Sequence, residues 1–259
     1  MIDLCATMFD WAKFRRTKGA VKLHLLLDHD GYLPSYAVIT EGKKHEVRVA
    51  RQMRFTPGTI LVFDRGYTDY QWFVSLIKQG VYFVTRLKEN ADYGVVEEFA
   101  VPHRRGVRRD QVIFFYQLAR AGMDAYFRRI EFYDEEHDRV LVFLTSHTGL
   151  AAATIASIYK ERWQIELFFR ALKQSLRVKT FVGTSAQALK TQLWTALIAM
   201  LLVKYLQLKS IFGWSLSNLV ALLRQQLFVY RDLWAWIDNP FQPPPVPETL
   251  PEQLALQLS

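Results

Sequence analysis

The sequence predicts an α/β protein with a β-rich segment set into its framework and a helical C-terminal region. Three observations predict it. Short apolar, β-branched runs alternate with helical stretches over the first 90 residues. Three strand-like runs then follow one another between residues 90 and 147. From residue 151 onward the apolar residues recur at helical spacing.

In order, residues 21–27 and 36–40 are apolar enough for strands and flank Asp28-His29-Asp30-Gly31, a turn signal, so they predict a hairpin. Residues 45–54 carry Arg48, Arg51 and Arg54 at every third position, which predicts a short helix with one basic edge. Residues 59–63, behind Pro57-Gly58, form the continuous apolar run of a buried strand, and so do residues 81–85. A helix over 70–79 lies between them, closed by Gly80. Residues 112–116, 126–132 and 140–144 are the strands of the β-rich segment. Residues 151–176 predict one long helix, and residues 186–231 predict further apolar helices. Six of the nine prolines fall between residues 240 and 251, which predicts an extended tail. The resulting division is 1–89, 90–147, 148–232 and 233–259.

Composition excludes several classes. With 51% hydrophobic residues and a mean hydropathy of zero, the chain carries too much apolar surface to stay disordered. The longest uncharged apolar run, residues 193–203, falls short of the ~20 residues that cross a bilayer. The first residues lack the pattern of a secretory signal. A single cysteine, Cys5, excludes an internal disulfide and any multi-cysteine zinc site. A cytoplasmic protein without a membrane partner is the expectation. The net charge of +8 favours polyanionic partners, of which nucleic acid is the commonest.

Two features point to chemistry. On the helix after residue 150, Tyr159, Arg162, Glu166 and Lys173 stand at offsets 0, 3, 7 and 14, within an arc of ~60°. Ile158, Ile165, Phe169, Leu172 and Leu176 occupy the neighbouring arc as an apolar stripe. An ordinary salt-bridged shoulder would look the same, since Arg162 and Glu166 are an i,i+4 pair. The second feature is Phe63-Asp64-Arg65-Gly66-Tyr67, where Asp64 follows a buried strand. Ligands of open α/β sheets bind beyond the carboxyl ends of strands, although a turn or cap aspartate also fits there. Two carboxylates from distant sequence can share a pair of Mg2+ ions, whose shells are completed by phosphate oxygens. Basic and tyrosyl neighbours would then hold flanking phosphates.

The pattern Tyr159-x2-Arg162-x3-Glu166-x6-Lys173 resembles the Y-R-E-K signature of transposases of the insertion sequence 4 family. The block 63–67 resembles that family's second-aspartate block, and residues 11–24 and 179–185 are also similar to these enzymes. The resemblance spans residues 1 to about 232. It implies a ribonuclease-H-like fold with a β-rich insertion before the catalytic glutamate. It also implies cut-and-paste DNA transposition by two-metal phosphodiester hydrolysis and strand transfer, with Mg2+ or Mn2+ as cofactor. DNA ends and target would be the partners, in a synaptic homodimer. By this resemblance Asp64 and Glu166 are the catalytic and metal-binding carboxylates, and Tyr159, Arg162 and Lys173 contact DNA. The first catalytic aspartate of the family would lie upstream of Met1, which makes Asp3 a bystander and the chain a truncated, inactive form. A non-enzymatic DNA-binding remnant and a ribonuclease-H-like nuclease of another kind are the alternatives.

Lesser candidates complete the list. Lys13, Arg15, Arg16, Lys18 and Lys22 form a basic patch that suits a DNA-backbone track or plain solvation. Arg104, Arg105, Arg108 and Arg109 form a weaker one. His45-Glu46 reads as a helix start rather than a metal pair. Asp28 and Asp30 read as turn residues, Asp69 as a helix cap, and His24 as an isolated strand histidine. Trp163, Phe168 and Phe169 are expected in the core. Asp134 to Asp138 read as a solvated turn, with four acids that suit a stray cation.

Overall fold

The computed structural model describes residues 2–5, 13–15, 18–43, 45–101, 106–175, 183, 185–226 and 228–241. Two sheets form the framework. The first holds β1 (Ile2–Cys5), β2 (Lys13–Arg15), β3 (Lys18–Leu27) and β4 (Pro34–Glu41). Here β3 pairs antiparallel with each of the other three, and the β3–β4 pairing is the hairpin read from the sequence. Asp28 accepts the amide of Asp30 in its turn, as its residue type predicts.

Helix α1 covers only Glu46–Ala50, so the helix expected over 45–54 stops early. Arg51 caps it and pairs with Asp69 at 2.6 Å, and Arg54 lies beyond, so the expected three-arginine edge does not form. His45 does occupy the N-cap, and Glu46 pairs with Lys22 at 2.8 Å. Then come β5 (Ile60–Val62), a 3-10 turn at Arg65–Tyr67, α2 (Tyr70–Lys78) and β6 (Tyr82–Arg86). Asp69 caps α2 by accepting the Trp72 amide, and Gly80 closes it with φ +70°.

The second sheet continues from these strands. It adds β7 (Tyr93–Glu98), β8 (Val107–Phe115), β9 (Tyr126–Asp134) and β10 (Arg139–Thr145), with α3 (Tyr116–Arg120) after β8. Its order is β5-β6-β10-β9-β8-β7, with β5·β6 parallel and the other pairings antiparallel. The β-rich segment thus extends the sheet begun by β5 and β6. Side chains alternate between its faces. Phe83 enters a core with Phe73, Phe115 and Phe127 under α2 and α3. Val84 enters another with Ile130, Phe143 and Ile155. Phe73 and Phe83 stack at 4.4 Å.

The helix expected over 151–176 is two helices, α4 (Ala152–Lys160) and α5 (Trp163–Ser175). Between them the amides of Glu161, Arg162, Gln164 and Ile165 bond three residues back, to Ile158, Tyr159, Glu161 and Arg162. That tightening breaks the α-helical repeat without a glycine or proline to announce it. Trp163, expected in the core, is 47% exposed because it opens α5 five residues before the buried Phe168, about 140° round the helix from it; Phe169 is half-buried.

Helices α6 (Ala186–Lys209), α7 (Leu216–Gln226) and α8 (Leu233–Asp238) follow, the last within the stretch assigned to the tail. Residues 242–259, most of that tail, lie outside the described residues, as do Arg16, Arg104 and Arg105 and the side chains of Lys13, Arg15 and Lys18. Helix α6 is long and apolar enough to cross a membrane, which its longest uncharged run did not suggest. Its Leu189, Leu193, Leu197 and Met200 pack on Val21, Leu23 and Leu25 of β3 and on Phe168 and Leu172 of α5, while Trp194, Ile198, Leu202 and Tyr205 are exposed.

One buried ion pair holds the second sheet to α4. The Arg128 guanidinium on β9 donates Nε and Nη2 to both carboxylate oxygens of Asp110 on β8, at 2.8 and 2.6 Å. Its Nη1 donates to the carbonyls of Thr148 and Leu150, just before α4. Removing one partner of such a pair strands a buried charge. Arg128→Met should therefore lower unfolding free energy by about 3–5 kcal/mol in urea titrations, and the double variant with Asp110→Leu should recover much of the loss.

Candidate functional site

Asp64 stands two residues beyond β5, where the chain leaves the parallel edge of the second sheet. Its Oδ1 accepts the Gly66 amide at 2.7 Å and caps the 3-10 turn, so the turn-aspartate role and an exposed carboxylate coexist in one side chain. A Cβ on Gly66 would lie 2.9 Å from that oxygen, so residue 66 has no room for a larger side chain while the cap is made. The aromatic rings of Phe63 and Tyr67 pack beneath; burial, with the charges of Asp64 and Glu46, pushes the Tyr67 hydroxyl up to about 12.

The α4–α5 corner approaches from the other side. Arg162 Nη2 and Glu166 Oε1 form an ion pair at 2.6 Å. Burial works to lower the pKa of Arg162, but the bond to Glu166 and the charges of Glu166 and Asp64 raise it. The Asp64 charge acts on Tyr159 as well, whose hydroxyl is pushed up chiefly by burial. Arg162 lies 5.6 Å from the Tyr159 ring. Four sequence-predicted residues, Asp64, Tyr159, Arg162 and Glu166, therefore meet in one electrostatic group. Asp64, Arg162, Phe63 and Tyr67 also line a cavity of about 180 Å3. Lys173 is half-buried on α5, seven residues on from Glu166 and so on the same side of that helix. Ile165 and Phe169 are half-buried and Leu172 is buried, as the apolar stripe predicts.

Two residues join the group that sequence reasoning passed over. Arg86 ends β6, the parallel neighbour of β5, and its pKa is lowered by burial and by the nearby Arg65 charge. The Nε atoms of Arg86 and Arg162 are buried without a hydrogen-bond partner among the described residues. Arg65 pairs with Glu89 at 3.2 Å. The rule that led to Asp64, attention to strand carboxyl ends, would have led to Arg86 too.

The remaining candidates lie elsewhere. His24 is buried against the Thr40 hydroxyl at 2.9 Å, and Arg108 stacks over Tyr133 at 4.5 Å. Asp134, Glu136 and His137 bring ligand atoms within 4.8 Å of one another. The turn there is not fully solvated as expected, because Asp134 is buried and takes bonds from His137 and Arg139.

A wider cavity of about 440 Å3 separates the two sheets, lined by Leu25 and Leu27 of β3, Ile60 and Val62 of β5, and Glu161 and Arg162. Among the described residues, β3 beyond Val21 is paired only with β4, and β5 only with β6. Thr59 and Phe63 bond toward β6, so by the two-residue repeat Ile60 and Val62 direct their backbone groups at this gap.

A hard-oxygen donor set with one oxygen of each carboxylate engaged, Asp64 by an amide and Glu166 by Arg162, fits Mg2+ or Mn2+.

Residues 6–202 match the protein family described as the transposase DDE domain. A protein named as transposase y4zB, from Sinorhizobium fredii, is 29% identical over 240 residues, 91% of this chain and 66% of its own length. One named for insertion sequence element IS5377, from Geobacillus stearothermophilus, is 29% identical over 76% of this chain and 52% of its own length. A third, named for element IS4SA in Synechocystis, is 27% identical over 67% of this chain and 49% of its own length. The chain thus spans about half to two thirds of the length of these curated relatives.

Two outcomes test the local physics. Asp64→Ala removes the cap and should cost about 1 kcal/mol in thermal or urea unfolding, whereas Asp64→Asn keeps an acceptor and should cost less. At Asp134, burial raises the pKa, but the bonds from His137 and Arg139 outweigh it and hold the carboxyl below its ordinary value. The stability this supplies is present above about pH 4 and lost as pH falls through the lowered value. Asp134→Asn should therefore be less stable than the parent at pH 7, with the gap narrowing in urea titrations below about pH 4.

Proposed function

The chain belongs to the transposase DDE domain family, and from that premise we propose that it is the catalytic domain of an insertion-sequence transposase with a ribonuclease-H-like core. In this reading Asp64 and Glu166 are two of the carboxylates that hold a pair of divalent cations, and DNA is the substrate. The observation that carries it is Arg162, which pairs with Glu166 at 2.6 Å, feels the Asp64 charge and lines one cavity with Asp64, although 102 residues separate the two carboxylates in sequence.

Mg2+ or Mn2+, when bound between these carboxylates, supplies the charge that stabilises the attacking and leaving oxygens of a phosphodiester displacement. The protein's own groups do the positioning. Arg162 pairs with Glu166 through Nη2, and a guanidinium at this place is the group that would take a phosphate oxygen in a forked contact. Tyr159 and Lys173 flank the same strip and hold neighbouring phosphates, and Arg86 and Arg65 add positive charge at the strand ends. Lys13, Arg15, Arg16 and Lys18 are further candidates for phosphate contact by their charge. A third carboxylate belongs in the gap between β3 and β5, where both strands present unpaired edges among the described residues. Two copies acting together on paired DNA ends complete the reading.

Arg162→Ala and Lys173→Ala should each weaken binding to a DNA duplex and reduce the slope of log affinity against log salt by about 0.9, one counterion per contact. Asp64→Asn and Glu166→Gln should bind that DNA normally and lose Mn2+ binding measured by electron paramagnetic resonance. Unchanged salt slopes together with unchanged Mn2+ binding would reduce the strip to an ordinary salt-bridged shoulder.

A further inference from the structure

Among the described residues, two other than glycine adopt positive φ, Tyr32 at 52° and Asp138 at 44°. Asp138 is of a type that tolerates the left-handed region, its side chain bonding locally, here to the Tyr133 hydroxyl. Tyr32 is not, since a bulky aromatic side chain is an outlier there. It follows Gly31, at φ 72°, so two successive residues of the β3–β4 turn are left-handed. Turn chemistry places glycine or asparagine at such positions. Gly31 obeys, with Leu208 of α6 only 3.0 Å from where its Cβ would be; Tyr32 does not. A strained aromatic where glycine would be easier is a feature that needs a reason in what the side chain reaches.

Its hydroxyl donates to Oε2 of Glu161, 129 residues away at the break between α4 and α5. The ring is held from the side by His29, edge-on at 5.5 Å. The Tyr32 hydroxyl is raised above its ordinary pKa by that bond, then by burial and the Glu161 charge, so it stays a donor through the physiological range. Glu161 immediately precedes Arg162, and both line the cavity between the sheets, as does Tyr32. The contact therefore ties the hairpin of the first sheet to the corner that aims Arg162 at Glu166 and Asp64.

We propose that Tyr32 is a positioning residue: its hydroxyl fastens Glu161 and sets the α4–α5 corner so that the Arg162 guanidinium faces the two carboxylates and the DNA phosphate they serve. The proposal rests on the reading of Arg162 as a phosphate contact. It also gives the absence of a local helix breaker at 161–162 a cause, because the corner is held from outside by the hairpin.

The test is a double-variant comparison on a DNA duplex, read as affinity and salt slope. In the parent protein Arg162→Ala should lower affinity about tenfold and the slope by about 0.9. In a Tyr32→Phe background, which keeps the ring and loses the donor, the same change should cost less than about twofold. Lys173→Ala, two turns farther along α5, should cost the same in both backgrounds. Glu161→Gln still accepts the hydroxyl and should behave as the parent; Glu161→Ala should behave as Tyr32→Phe. An undiminished effect of Arg162→Ala in Tyr32→Phe would overturn the positioning role and leave Tyr32 a contributor to stability alone. No effect of Arg162→Ala in the parent would instead overturn the phosphate-contact reading beneath it.

Discussion

The forked pair between Arg128 and Asp110 is the constraint on which the arrangement of the site depends. Both groups are buried between neighbouring strands of the second sheet, and a charge there is tolerable only when fully paired. Arg128 has donors to spare, and it spends them on the carbonyls of Thr148 and Leu150. The chain leaving β10 is thereby pinned to the sheet just before α4 begins. From that fixed point Ile155 and Ala156 pack on the sheet face with Val84 and Phe143, and the last turn of α4 brings Tyr159 against Phe143 at 5.1 Å. The direction of α4, and with it the position of everything at the following corner, is set by the sheet.

At that corner, charge takes over from packing. Arg162 is half-withdrawn from solvent and shared between the carboxylate it bonds, Glu166, and the carboxylate whose field it feels, Asp64. Surface ion pairs contribute little to stability, and this one is on a partly exposed helix face. Its significance is positional. The Arg162 guanidinium pairs with one acid and feels the charge of a second, in a place bordered by Arg65 and Arg86. Among the described residues β3 and β5 are not joined by a hydrogen-bonded ladder, and both line the cavity between the sheets. The contact from Tyr32 to Glu161 is one of the ties across that gap.

Much of the framework was legible because it rests on local physics. The apolar runs of β5 and β6 are rich in β-branched residues and that of β3 in leucine, and turn residues bound them. Asp69 and Gly80 mark the ends of α2 by chemistry that works in a peptide. The apolar stripe of α5 follows from the helical repeat alone, and Leu172 and Phe168 are buried as it requires. Asp64 was found from its place after a buried strand, and Glu166 from its spacing to Tyr159, Arg162 and Lys173. The break at Glu161 and Arg162 was not legible, because no glycine, proline or cap marks it. Arg51 left the expected basic edge of α1 for Asp69, a partner eighteen residues on that a window of sequence does not contain.

The sequence by itself determined which segments become strands and helices, where most of them stop, which faces are apolar, and which carboxylates are the candidates for chemistry. These follow from short-range sterics, hydrogen-bond supply and the periodicity of side chains. The tertiary structure alone decided that the β-rich segment extends the sheet of β5 and β6, that one predicted helix is two, and that Arg86, Glu161 and Tyr32 converge on the same corner. Each of those outcomes is a pairing between groups dozens of residues apart, settled by burial and charge once the chain has collapsed. No spacing in the sequence records such a pairing, because its energy exists only in the folded protein.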